Sequence, residues 1–267
     1  MRIERRLIVN ADDFGFTTDV NAGIVEAHRT GVLTAATLMA NGGAFDDAVR
    51  LAREAPSLDV GCHLVLMQGP SLATGQPLPE KWPELLKALA ARRIDPYFEL
   101  RPQVEKLLSA GIRPSHFDTH KHTHVFPPVF SAVVRLAREF EVPFLRLPFD
   151  AGWLPVRGMD RWYRGRLRKA ELRSTDHFMG FRLTDSLDEG TFTKALRSLR
   201  PGSTEFMCHP GYFGNELREA ATRLKESRQR ELEALTSQAV KRLLTELSIR
   251  LTTYRELQSH TESDENH

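Results

Sequence analysis

The chain has only two cysteines, Cys62 and Cys208, among its 267 residues. Two cysteines cannot form the disulfide framework of a small secreted domain, so we expect a reduced, cytoplasmic setting. No apolar run approaches the roughly 20 residues that span a bilayer. The charged start over residues 1–6 lacks the apolar core and cleavage site of a signal peptide. We therefore expect no transmembrane segment, although peripheral membrane contact stays open.

The chain also lacks a strong charge of one sign. Its formal net charge is +2, which gives no broad electrostatic field for nucleic acid. The sequence contains none of the motifs G-x-x-x-x-G-K-[ST], G-x-G-x-x-G and G-x-S-x-G. This absence argues against the common classes of nucleotide-binding proteins and serine hydrolases. Nothing in the sequence sets the oligomeric state, so a homo-oligomer remains possible.

Short apolar runs alternate with amphipathic stretches along the chain. The pattern predicts strands at 7–9, 35–39 and 60–66, with helices at 20–30 and 45–54 between them. Strands that alternate with helices indicate parallel βαβ units. A single (β/α) barrel of about 250 residues accommodates such units. We predict one domain over residues 1–258 and, from its polar composition, a disordered tail over 259–267.

Asp12 and Asp13 follow the first predicted strand directly. Two adjacent carboxylates repel each other unless a positive charge lies beside them. A metal ion would supply that charge, with one aspartate as its ligand and the other as a base. The alternative is that one aspartate caps the following helix, which leaves the other unexplained.

Histidines are concentrated in HFDTHKHTH, residues 116–124. On an extended strand His116, Asp118 and His120 share one face, and His122 and His124 extend that face if the strand continues. Imidazole and carboxylate groups at strand ends are typical of hydrolytic metal sites. Spacing alone does not decide which histidine binds, and a solvated histidine-rich turn is the alternative.

Three further polar residues lie within or at the end of predicted strands. His63 interrupts an apolar strand, as either a metal ligand or a core histidine. Arg146 could orient an aspartate, bind substrate or lie on the surface. His209 is a candidate general acid.

Two segments are candidates for substrate selection. The loop over 68–83 is rich in glycine and proline and follows a strand end. Residues 153–169 combine Trp153, Trp162 and Tyr163 with several arginines. This stretch could stack on a sugar or contact a membrane, although a helix with a solvated basic face is the simpler interpretation.

Four segments in this order, NADDFG at 10–15, GCHL at 61–64, HFDTHKHTH at 116–124 and CHPG at 208–211, resemble the YdjC-like carbohydrate deacetylases. That family includes the chitooligosaccharide deacetylases and the deacetylases of hopanoid biosynthesis. The resemblance runs from Leu7 to about Leu257, and residues 174–180 look closer to the hopanoid branch. It implies an α/β fold, a distorted TIM-like (β/α) barrel related to the polysaccharide deacetylases.

The resemblance also implies a site with one divalent metal ion. The implied ligands are Asp13, His63 and His120, with Asp12 as the base, His209 as the acid and Arg146 orienting the base. Zinc suits two histidines and one aspartate best, while magnesium, manganese, cobalt or nickel remain possible. The contribution of His122 and His124 stays open.

The implied reaction is hydrolysis of the N-acetyl group of an amino sugar, carried by an oligosaccharide or a glycolipid, with release of acetate. One alternative is a metal-dependent phosphoesterase, which usually needs ligands for a second ion. The other is a non-catalytic metal-binding protein, which would have no use for a second aspartate.

Overall fold

A computed structural model describes residues 4–149 and 157–264. The strands are β1 Arg5–Phe14, β2 Ala35–Leu38, β3 Asp59–Leu64, β4 His116–Thr119, β5 Phe144–Leu145, β6 His177–Met179, β7 Gly202–Cys208 and β8 Ile249–Leu251. The helices are α1 Thr18–Thr30, α2 Phe45–Glu54, α3 Trp82–Ala90, α4 Pro96–Ser109, α5 Pro127–Glu139, α6 Arg157–Lys169, α7 Glu189–Arg197, α8 Asn215–Glu219, α9 Glu226–Thr236, α10 Gln238–Glu246 and α11 Tyr254–Asp264.

All the described strand pairings are parallel, in the order β5-β4-β3-β2-β1-β7-β6, and β8 also pairs with β1. A parallel bridge between Phe144 and Arg173 brings the segment just before β6 against β5, so the sheet curls back on itself. The predicted α/β barrel with parallel βαβ units is therefore confirmed. Among the described residues, no helix is both long and apolar enough to cross a membrane.

Strand alternation gives β1 two different faces. Leu7, Val9 and Ala11 belong to the main apolar core. Ile8 lies on the other face, in a small cluster with Ala35, Phe144, Tyr254 and Leu257. Further along this second face come Asn10 and Asp12, both buried. The barrel interior thus changes from apolar at the start of β1 to ionic at its end.

Several element boundaries differ from those predicted. β4 ends at Thr119 and a 3-10 helix over His120–Val125 follows, with Lys121 and His122 at φ of 54° and 53°. The histidine segment is therefore not one continuous strand. The short strand β6 was not predicted, since three residues carry too little periodicity. Trp153 lies outside the described residues, while Trp162 is on α6.

The C-terminal segment also differs from expectation. Polar composition predicted disorder from Ser259, yet the structure continues α11 to Asp264. Residues 265–267 lie outside the described part. The start of α11 is anchored, because the Asp59 carboxylate accepts hydrogen bonds from the backbone N–H groups of Tyr254 and Arg255 at 2.8 and 3.2 Å. This cap satisfies donors that a helix start leaves free.

Candidate active site

The end of β1 carries two consecutive carboxylates into one cavity. The β1–β2 register shifts between Ala11 and Phe14, and Asp13 adopts a φ of 66°. Aspartate tolerates this left-handed conformation better than most residues. Although neighbours on a regular strand point to opposite faces, Asp12 and Asp13 both line the same cavity because of this irregularity.

Arg146 holds Asp12 in place. Its Nη1 and Nη2 donate to the two carboxylate oxygens of Asp12 at 2.8 and 2.7 Å. It also contacts Asp118 at 2.7 Å and Glu205 at 2.6 Å. Arg146 is 1% exposed, so the surface alternative for this arginine is wrong. Burial would raise the pKa of Asp12, but the guanidinium outweighs burial and holds that pKa well below its usual range.

His63 is fixed by a carboxylate on the next strand. The β3–β4 register pairs His63 with Asp118, and His63 Nδ1 lies 2.7 Å from an Asp118 oxygen. A histidine that donates from Nδ1 presents the Nε2 lone pair to the opposite side, as metal-binding histidines do. Burial opposes charging, yet Asp118 and Asp13 outweigh it and raise the pKa of His63 to about 10. The space beside Nε2 thus attracts positive charge.

Asp13, His63 and His120 form a compact triangle of potential ligands. Asp13 Oδ1 lies 3.4 Å from His63 Nε2 and 3.2 Å from His120 Nδ1, and the two nitrogens are 3.2 Å apart. Ligand atoms bound at about 2.0–2.1 Å around a tetrahedral zinc lie about 3.3 Å from one another. Asp13 Oδ1 is also buried without a hydrogen-bond donor among the described residues. These three residues therefore fit a divalent metal ion.

A second group, Asp12, His63 and Asp118, is also close enough to hold an ion. Arg146 Nη1 lies 2.7 Å from Asp118 and 2.8 Å from Asp12, however. A guanidinium already supplies the positive charge between these carboxylates, so this group does not fit a metal.

Only one histidine of the 116–124 segment reaches Asp13 in the described structure. His116 hydrogen-bonds Asn10 and Ser115 and stacks on Tyr254, deep in the barrel. His124 contacts the Thr119 hydroxyl and the Arg146 carbonyl oxygen. These two are structural. Asp118 and His120 both contact the His63 ring, at Nδ1 and Nε2, although β4 itself ends at Thr119. The strand does not continue to His122 and His124, so the face does not extend to them.

His122 lines the cavity without joining the triangle. Its ring packs edge-on against Phe181, with the ring centroids 5.2 Å apart, and its Nδ1 is buried without a partner among the described residues. Burial lowers the pKa of His122 well below its usual range, so the ring is neutral.

His209 follows β7 and lines the same cavity as Asp12. Its backbone N–H donates to Glu231 Oε2 at 2.5 Å, while its Nδ1 has no partner among the described residues. Burial lowers the pKa of His209 to about 4. The imidazole is therefore neutral at pH 7 and accepts a proton only when negative charge develops nearby.

Sequence reasoning missed two residues of α9 that support the site. Arg228 Nη2 donates to Asp13 Oδ2 at 2.5 Å, and Glu231 holds the backbone of His209. Both are 1% exposed. Their spacing of three places them on one helix face, the face that also carries the buried Leu232 and Leu235. Charges on an apolar stripe are the signal that could have identified them.

The cavity above these groups has a volume of about 970 Å³. Its floor carries Asp12, Asp13, His63, His120 and His209. Much of the rest of the wall is apolar, from Trp82, Val125, Pro148, Phe149, Met159, Phe181, Met207 and Leu224. Gln68, from the predicted functional loop, lies 3.4 Å from His120 Nε2. The cavity thus combines a charged floor with a wall that is largely apolar but also carries Lys121, Arg223 and Lys225.

Comparison with known sequences agrees with the motif resemblance. The model of the YdjC-like protein family matches residues 6–246. A carbohydrate deacetylase of Brevibacillus brevis is 35% identical over 260 residues, covering 94% of this chain and 99% of that protein. A carbohydrate deacetylase of Geobacillus stearothermophilus is 37% identical over 257 residues, covering 94% and 98%. The family assignment that the four motifs predicted is confirmed.

Solved structures share the architecture. A candidate cellobiose-phosphate cleavage protein of Enterococcus faecalis superimposes with a TM-score of 0.81 at 27% identity, covering 95% of this chain and 99% of that one. A lactam utilization protein of Thermus thermophilus reaches a TM-score of 0.50 at 17% identity, covering 94% and 99%. The second similarity shows the fold alone.

Replacing Arg146 by glutamine should destabilise the fold strongly. The change leaves three buried carboxylates without their cation, and breaking a buried ion pair costs about 3–5 kcal/mol. Urea unfolding measures the loss. Arg50→Gln is the matched control, since Arg50 is exposed and pairs with Asp47 and Glu54 on the surface, where ion pairs contribute little. Similar losses in the two variants would contradict the role of Arg146.

Proposed function

The chain belongs to the YdjC-like protein family, and we propose that it is a metal-dependent hydrolase that removes the N-acetyl group of an amino sugar and releases acetate. The observation that carries this proposal is the triangle of Asp13, His63 and His120 beside a separate carboxylate, Asp12. A metal-storing protein has no need of that second aspartate. Two carbohydrate deacetylases at 35% and 37% identity support the substrate class.

Charge balance supports the metal. Asp118 and Asp13 raise the pKa of His63 to about 10, so this point of the cavity favours positive charge, and Asp13 Oδ1 has no donor among the described residues. A divalent cation would supply that charge. Two imidazole nitrogens and a carboxylate suit zinc, and the same set accepts manganese, cobalt or nickel. When bound, such an ion supplies Lewis acidity, which activates a water and polarises a carbonyl.

Asp12 is suited to the role of general base. Arg146 binds both of its oxygens and keeps the carboxylate ionised, since the pKa of Asp12 is lowered. An ionised, immobile carboxylate at the cavity floor can take a proton from an attacking water without reorganising. The low pKa makes it a weak base, so its contribution depends on the acidity of that water.

His209 is suited to protonate the departing amine. The amine leaves only when its nitrogen is protonated, so an acid must line the same cavity as the base. His209 is neutral in the free protein, because burial lowers its pKa to about 4. Negative charge on the tetrahedral intermediate would raise that pKa, so the ring would take up the proton that Asp12 removes from the water and would pass it to the departing amine.

The apolar wall favours one kind of amino sugar. The side chains of Pro148, Met159 and Leu224 cannot form hydrogen bonds with sugar hydroxyls. Met159 and Phe181 are 41% and 47% exposed, so apolar surface is open for contact with a ligand. A cavity of about 970 Å³ exceeds what one sugar ring fills. We therefore favour an N-acetylated sugar joined to an apolar group, a glycolipid, over a chitooligosaccharide.

Acetate release, measured together with bound zinc, tests the function and the separate roles of Asp12 as base and Asp13 as metal ligand. With zinc-loaded protein, an N-acetylglucosaminyl lipid should release acetate faster than N-acetylglucosamine oligomers. Asp12→Asn should slow release about 10²–10⁴-fold, the usual contribution of a general base, while one zinc per chain is retained. Asp13→Asn should lose the zinc.

Asp46→Asn, at an exposed position on α2, is the matched control and should change neither quantity. If Asp12→Asn loses the metal instead, the roles of the two aspartates are exchanged. Phosphate release from sugar phosphates is measured in parallel. If phosphate appears without acetate, the phosphoesterase alternative replaces the proposal.

Zinc binding should depend on one histidine of the 116–124 segment. His120→Ala removes a corner of the ligand triangle and should weaken zinc binding at least about 10-fold, since loss of even a residue that only supports a ligand typically costs about 10–100-fold. His122→Ala, two residues away, should leave affinity within about twofold, because His122 lies outside the triangle. Isothermal titration of the metal-free protein measures both. Equal losses would indicate a diffuse histidine-rich site.

A further inference from the structure

A second cavity, of about 580 Å³, lies away from the proposed active site. Arg6 and Ser203, paired near the starts of β1 and β7, form part of its wall, and Phe144 at the start of β5 forms another part. The proposed active site instead lies at the carboxyl ends of the strands. The remaining wall comes mainly from α6 and the segment 172–176.

The wall of this second cavity is strongly basic. Five arginines line it against two aspartates: Arg6, Arg161, Arg164, Arg168, Arg173, with Asp160 and Asp176. Arg164 is paired with Asp160 at 2.9 Å, and the Asp176 carboxylate accepts hydrogen bonds from Ser203. Among the side chains that the structure describes, those of residues 4–149 and 158–259, no carboxylate forms an ion pair with the other four arginines. An excess of three positive charges therefore faces one cavity.

Two buried donors in this wall also lack acceptors. Arg173 Nη1 and Ser174 Oγ are inaccessible to solvent and have no hydrogen-bond partner within the described part of the chain. Buried donors are nearly always paired, so these two adjacent donors are unsatisfied polar groups in residues that line the cavity. A negatively charged oxygen is the acceptor that suits a guanidinium best.

The basic groups are held on rigid backbone. Arg173 N donates to Pro143 O and Arg173 O accepts from Leu145 N, each at 2.9 Å. Arg6 belongs to β1 and is paired with Ser203 on one side and Arg250 on the other. The backbone at these two positions therefore loses little freedom when a ligand binds.

We propose that this second cavity binds a phosphate group. Guanidinium forks match the oxygens of phosphate and bind them in pairs, and several arginines here converge from different elements. The volume exceeds that of a bare phosphate ion, so the natural ligand carries its phosphate on a larger body. That body is either a soluble phosphorylated metabolite or a phospholipid. The inference does not rest on deacetylation.

Calorimetric titration with inorganic phosphate, at ionic strength held constant with sodium chloride, tests the proposal. The expected result is saturable binding with one site per chain, weakened at least about tenfold in Arg173→Gln and in Arg6→Gln, because each removes a charged donor. Arg242→Gln, an exposed arginine on α10 outside both cavities, should bind as the wild type does. Absence of saturable binding, or equal binding by all three variants, overturns the proposal.

A flotation experiment identifies the source of the phosphate. Flotation with vesicles of phosphatidylglycerol and phosphatidylcholine, lost in Arg173→Gln, would assign a lipid headgroup. Phosphate binding without flotation would assign a soluble metabolite.

Discussion

The buried guanidinium of Arg146 is the group on which the interior of this barrel depends. It contacts carboxylates of three different strands or strand ends, from Asp12, Asp118 and Glu205. A carboxylate removed from water without a partner becomes protonated, since burial disfavours its charge. Arg146 therefore does more than join strands. It keeps Asp12 ionised and oriented, which is the state that the proposed chemistry needs.

The same ion cluster links the base to the metal ligands. Asp118 is shared, because it contacts Arg146 with one oxygen and His63 Nδ1 with the other. His63 is thereby turned so that Nε2 faces Asp13. On the far side, Arg228 fixes the second oxygen of Asp13. The base and the metal ligands are thus held by one continuous set of buried contacts. A shift of Arg146 would displace both Asp12 and, through Asp118, His63.

Much of this could be predicted from sequence, and the failures have physical causes. Helix α2 was placed at its observed bounds because its apolar period is strong. The Asp-Asp pair and His63 stood out as polar groups in or beside apolar strands. Periodicity could not select His120 over His122, because β4 ends at Thr119 and the left-handed backbone at Lys121 and His122 redirects the segment.

Arg228 and Glu231 were missed for a different reason. Their partners, Asp13 and His209, lie 215 and 22 residues away, and nothing in a local pattern reports such contacts. Family resemblance supplied the ligand set and the role of Asp12, whereas the packing around them required coordinates. The occupant of the ligand triangle is therefore the point at which experiment is most decisive.

The most direct measurement is an anomalous-scattering crystal structure of the protein soaked in zinc. The account predicts one strong peak within bonding distance of Asp13 Oδ1, His63 Nε2 and His120 Nδ1, with Asp12 still held by Arg146. A peak among Asp12, His63 and Asp118, or one at His122 and His124 alone, would contradict it.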